Sequence, residues 1–98
     1  MAVTNADPEL ACTYALFMES RGDSARARQL YEQAVRSPGL PQTPYFESVI
    51  RLHRAHYFER DGHPDSARAE YARSRSLAAP GSGEAREDSL ALRRLGGR

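Results

Sequence analysis

Helix boundaries recur along this chain and strand signals do not, and that asymmetry constrains the fold more than any other feature of its 98 residues. Asp7-Pro8 and Thr43-Pro44 each set a capping side chain before a proline whose missing N–H costs nothing in a first helical turn. Helices are therefore expected to start at Pro8 and Pro44 and to run to about Arg21 and Asp61, because Gly22 and Gly62 can take the positive φ that closes a helix. A helix begins again at Asp23-Ser24 and ends near Ser37, before Pro38-Gly39; another begins at Pro64 and ends near Ala79, before Pro80-Gly81. Ser82-Gly83 starts a shorter last helix reaching Leu95. The chain has no Asn-Gly turn, no alternation of apolar and polar residues and few β-branched residues, so a sheet has nothing to be built from. The expected fold class is all-α, about five helices in antiparallel hairpins, because turns such as RGDS and DGHPD are too short to send the chain anywhere but back. Residues 1–7 are read as a flexible N-terminus, 8–95 as one domain (hairpin 8–37, linker 38–43, hairpin 44–79, capping helix 83–95) and 96–98 as a frayed tail.

Aligning the chain on its two turn glycines, 40 residues apart, brings an internal repeat into register. Gly22 is followed by Ala27, Tyr31 and Ala34, and Gly62 by Ala67, Tyr71 and Ser74; upstream, Ala15 and Met18 match Ala55 and Phe58. Each set falls on one helical stripe, and small residues face large ones across each hairpin, as close packing of antiparallel helices requires. In GDSARARQLYEQAVRSP, and more loosely in GHPDSARAEYARSRSLAAP, the chain resembles the tetratricopeptide repeat family. The resemblance implies two repeats and a capping helix stacked as a short α-solenoid. Ala15, Gly22, Ala27, Tyr31, Ala34 and Pro38 fit the family pattern, with Met18 in place of an aromatic; Ala55, Phe58, Gly62, Ala67 and Tyr71 fit it again. The period of 40 exceeds the family's 34, and Arg51 and Arg54 stand where the family buries apolar side chains, so their stems are expected to snorkel.

Apolar residues left over by the hairpins point to association with another protein. LACTYALFM, from Leu10 to Met18, is apolar nearly all the way round, so its helix is expected to be covered on every side. In the helix from Pro44, the residues Tyr45, Phe46, Val49, Ile50, Leu52 and Tyr57 share one arc, with Glu47, Arg51 and Arg54 roughly opposite. The family resemblance implies that first helices line a concave groove. Its lining here would be Glu9, Cys12, Leu16 and Glu19 from one helix and Val49, Leu52, His56 and Glu59 from the next, apolar at the centre and acidic at the edge. The clamp with which some family members grip a terminal carboxylate is absent, since Cys12 and Leu16 occupy the places of its first lysine and asparagine. An apolar groove suits a helix or peptide segment of a partner protein, the adaptor reading, or a second copy of this chain.

Other classes find little support in the residues. The 14 basic and 13 acidic side chains nearly cancel, which argues against nucleic acid; all 14 basic residues are arginine, a composition of GC-rich, bacterial-like coding. The opening residues lack a charged stretch followed by an apolar run, and no 18 apolar residues occur in succession, so a cytoplasmic protein independent of membranes is expected. His53, His56 and Glu59 could face a metal, but the spacing is common on solvated helix faces and no metal or other cofactor is expected. Cys12 reads as a buried small hydrophobe, and Arg26, Arg28, Arg36, Arg68, Arg73 and Arg75 as a solvated basic face interleaved with Glu32 and Glu70. With no phosphate loop, GxSxG elbow or carboxylate-pair motif, no catalysis is expected. The terminal LRRLGGR shares letters with ubiquitin-like tails, but those follow a β-grasp fold that this chain lacks the strands to form.

Overall fold

A computed structural model describes residues 8–36 and 44–96, without the side chains of Glu9, Pro44, Tyr45 and Phe46; the expected linker and N-terminal segment, the end of the second helix at Ser37 and residues 97–98 lie outside the described residues. Among the described residues there are five helices and no strand: α1 Pro8–Ser20, α2 Ser24–Val35, α3 Pro44–Arg60, α4 Pro64–Leu77 and α5 Gly83–Arg94. The fold is all-α, with α1/α2 and α3/α4 forming hairpins and α5 packed on α4 and α3.

The turns form where the glycines stand. Gly22 and Gly62 take φ +80° and +81°, and nothing lies within 4 Å of where a Cβ would sit, so backbone conformation and not space selects glycine. The Asp23 and His63 amides donate to the carbonyls of Met18 at 2.9 Å and Phe58 at 2.8 Å, satisfying helix-end acceptors in the same way twice. The Asp23 carboxylate then caps α2 by accepting from the Arg26 amide at 3.1 Å, and the Ser82 hydroxyl caps α5 by accepting from the Ala85 amide at 3.1 Å. α4 stops at Leu77, two residues before the expected Ala79, with Ala78 extended at ψ 148°. Pro80 disfavours helical geometry at the residue before it.

The repeat residues build the core. Ala15, Ala27, Tyr31, Ala34, Ala55, Phe58, Ala67, Tyr71 and Ser74 are buried, and Met18 packs against them. Ile50, Leu52 and Tyr57 are buried too, along with Ala11 and Cys12. Two expectations need correction. This chain by itself does not cover α1 on every side: Tyr14 and Leu16 keep 37% of their surface and Phe17 keeps 50%. The Arg51 and Arg54 heads do not snorkel to water either; the buried Glu70 holds both, and the buried Glu47 also holds Arg51.

The helix α5 shares the register of α3. Ser89, Leu92 and Gly96 repeat, 34 residues on, the small residue, large residue and turn glycine of Ala55, Phe58 and Gly62. Gly96 takes φ +81° and donates to the Arg93 carbonyl at 3.2 Å, as Gly62 does to Glu59 at 3.3 Å. α5 is therefore a third first helix in the stack.

Candidate functional site

Each repeat tyrosine ends on a glutamate. The Tyr31 hydroxyl donates to Glu19 Oε1 at 2.6 Å and the Tyr71 hydroxyl to Glu59 Oε1 at 2.8 Å. An arginine from the next first helix closes each pair: Arg60 of α3 on Glu19, and Arg94 of α5 on Glu59. Burial and then the hydrogen bond to an anion raise both phenols above their ordinary range, while Arg94 holds Glu59 below the usual carboxylate range. The acidic edge expected for the groove is thus committed to joining one repeat to the next.

The other expected groove residues separate into two groups. Cys12 and Leu52 lie inside the core, and Val49 is half-buried. Leu16 reaches the surface, and His56 is half-buried with its Nε2 2.8 Å from Glu87 Oε2 of α5 and its ring 5.8 Å from that of Tyr71. The Glu9 side chain lies outside the described residues. Leu90 of α5, 57% exposed, sits 34 residues after His56, which sits 40 after Leu16, so these three hold one register position on successive first helices. Among the described residues, the exposed large hydrophobic side chains are Tyr14, Leu16, Phe17 and Leu90, all on first helices.

The histidine face does not converge on a metal. Glu59 serves Tyr71 and Arg94, His56 faces Glu87, and among the described residues no group of three His, Cys, Asp or Glu side chains is placed to hold an ion. Burial, then the neighbouring His56, pulls His53 below the ordinary imidazole range.

A charged seam crosses the opposite side of α3. Arg51 Nη1 bridges both oxygens of Glu70 at 2.8 and 3.0 Å while its Nε donates to Glu47 at 3.0 Å. Arg54 also holds Glu70, reaches Glu32 of α2 at 3.2 Å, and lays its guanidinium 4.9 Å from the centre of the Phe58 ring. An open cavity of about 570 Å³ borders this seam, lined by Arg51, Arg54, Arg73, Glu70, Phe58 and Ser66. Arg73 approaches Glu47 at 3.6 Å, so every arginine lining the cavity is met by a glutamate. Of the expected basic face, Arg36 pairs with Glu32 and Arg68 with Asp65.

Polar groups also lie between α3, α4 and α5. The Ser74 hydroxyl, at the position of Ala34 in the first repeat, is 2.7 Å from Asp88 Oδ2 and 3.0 Å from the Ser48 carbonyl. Asp88 is fully buried, its Oδ1 has no hydrogen-bond partner, and burial pushes its carboxyl up to about 6. Comparison with protein-family models, with curated proteins and with solved structures gave no match.

Sequence reasoning missed the roles of Glu32, Glu47, Glu70, Tyr57, Asp88 and Leu90. The α5 register carried a readable signal, in Ser89, Leu92 and Gly96, and so did the i,i+4 spacing of Glu47 and Arg51; the pairs made by Glu70 and Glu32 with Arg51 and Arg54 join residues 16 to 22 apart that look like ordinary solvated charges.

Proposed function

We propose that this chain is a non-catalytic, tetratricopeptide-type association module that binds a helix or peptide segment of a partner protein along its first helices. The observation that carries this reading is that Leu16 and Leu90, 37% and 57% exposed, hold one register position on α1 and α5, with His56 between them in register on α3. Affinity there would come from desolvating apolar anchors, because Glu19 and Glu59 are occupied by internal clamps. Among the described residues no helix is long and apolar enough to cross a membrane.

The test is capture with cross-linking from the native cell, comparing the unchanged chain with a Leu16→Glu, Leu90→Glu variant of equal helicity. A protein retained by the first and lost by the second supports the reading; an identical set of captured proteins contradicts it. Self-association is the second reading, favoured because apolar side chains stand exposed at both ends of the same stack, on α1 and α5. A concentration-dependent dimer mass that the same variant abolishes would establish it.

A further inference from the structure

The three first helices carry one common ridge, formed by the residues eight, five and two before the glycines Gly22, Gly62 and Gly96. In α3 the ridge is Arg54, Tyr57 and Arg60, and it lies against the preceding hairpin. Arg54 reaches Glu32 at 3.2 Å, the Tyr57 hydroxyl donates to the Ser24 carbonyl at 3.2 Å with its ring 5.5 Å from that of Tyr31, and Arg60 holds Glu19. In α5 the ridge is Asp88, Ala91 and Arg94, again turned inward: Asp88 meets Ser74, Ala91 is buried, and Arg94 holds Glu59. In α1 the same ridge is Tyr14, Phe17 and Ser20, and it stands open. Phe17 is half exposed with the Arg21 guanidinium 5.6 Å from its ring centre, and the Ser20 hydroxyl turns back to the Phe17 carbonyl at 2.6 Å.

We infer that the Tyr14–Phe17–Ser20 ridge of α1 is a docking surface for the second helix of an α-helical hairpin belonging to another protein, stacked end to end as α2 stacks on α3. This surface is separate from the Leu16–Leu90 stripe and does not depend on it. The occupant follows from the two joints already made inside the molecule, which the open ridge continues. A second copy of this chain has no such helix to give, because α2 is covered by α3 and α4 by α5. The ridge also specifies the chemistry of its partner. Where Glu32 answers Arg54, the incoming helix must present an apolar residue to Tyr14, and no carboxylate clamp is called for because Ser20 replaces arginine. Such a joint is hydrophobic and gains nothing from low salt.

The test adds a hairpin of known sequence to the full chain. A copy of residues 8–36 bearing Glu32→Leu is joined upstream of Pro8 through a copy of residues 37–43, as a probe for the ridge. The expected fusion unfolds in one transition, with a midpoint at least about 5 °C above that of the unextended chain in both 0.1 and 1 M salt, an upshift on the scale of one modest hydrophobic joint. Phe17→Asp in the original α1 should split the transition and expose the added second helix to hydrogen exchange. A control keeps the added copy unmodified and converts the original ridge to that of α3 by Tyr14→Arg, Phe17→Tyr and Ser20→Arg, recreating the internal joint. If the control couples while the natural ridge leaves the added hairpin unprotected, or if coupling survives Phe17→Asp, the inference is overturned. Leu16→Glu with Leu90→Glu should leave the coupling unchanged, which separates this surface from the stripe.

Discussion

The two hairpins share a backbone plan and fill their seams with opposite chemistry. Ala11, Tyr14 and Leu30 of the first stand 40 residues before Arg51, Arg54 and Glu70 of the second. Where α1 and α2 bury Ala11 and Leu30, α3 and α4 bury Glu70 beneath two arginines. The difference shows that the small–large repeat fixes how the helices approach, while the seam beside it can be closed by apolar contact or by charge. It also changes what each seam tolerates. An apolar seam loses contact area when trimmed, whereas a charged seam loses its compensation and strands the remaining ions.

Removing the hub of the charged seam should therefore have the largest effect. Glu70→Ala leaves Arg51 and Arg54 inside with only Glu47 and Glu32, and is expected to cost about 3–5 kcal/mol, measured by urea denaturation. Leu30→Ala, at the matching position, should cost about 2–3 kcal/mol, near the low end for a buried leucine because Leu30 lies at the margin of the core. Giving the second hairpin the seam of the first with Arg51→Ala, Arg54→Tyr and Glu70→Leu, and adding Glu47→Ala so that its buried carboxylate is not left without Arg51, should recover most of the Glu70→Ala loss. Failure to recover would mean that the ions hold the hairpin together in a way that apolar contact cannot replace.

The joint between α4 and α5 gives the next effect, with a definite pH sign. Asp88 titrates near 6 in the folded chain against an ordinary 3.8, so between those values the folded chain keeps a proton that the unfolded chain has lost. This contribution to stability is present below that window and is lost as pH rises through about 6. The geometry explains the preference. Ser74 has one hydroxyl proton for two acceptors, Asp88 and the Ser48 carbonyl, and a protonated Asp88 can donate to Ser74 and release that proton to Ser48. Asp88→Asn should stabilise the protein by about 2–3 kcal/mol at pH 7.5 and flatten the dependence of the melting midpoint on pH between 4 and 7. An unchanged slope would remove Asp88 as its source.

Where the hairpins agree, paired substitutions should agree as well. Tyr31→Phe and Tyr71→Phe each remove a hydrogen bond to a glutamate still held by arginine, and each should cost about 1–2 kcal/mol in thermal unfolding. Gly22→Ala and Gly62→Ala, with open space around both Cβ positions, should each cost about 1 kcal/mol from positive φ alone. Unequal costs within either pair would show that the two repeats are not equivalent joints.

The parts of this architecture that were legible in the sequence are those written locally. Pro44 and Pro64, the Asp23 cap and the φ of Gly22 and Gly62 act within a few residues, and the ends of α1 and α3 fall within one residue of the positions expected from them. The side chains of the candidate surface were less readable. Leu16 and Leu52 hold neighbouring positions on first helices, yet one is open and the other enclosed, because burial depends on which helices lie beside them. Charge misled for the same reason. Glu47 and Glu70 have the look of solvated residues, and only the approach of α3 to α4 makes them interior.

Residue-level oxidative footprinting in native-cell extract tests most directly the claim that apolar side chains left open on the first helices are covered by another protein. Tyr14, Leu16, Phe17 and Leu90 should be labelled in the purified chain and protected in extract, with Tyr31 and Tyr71 protected in both. Equal labelling of the four in both conditions would contradict the account.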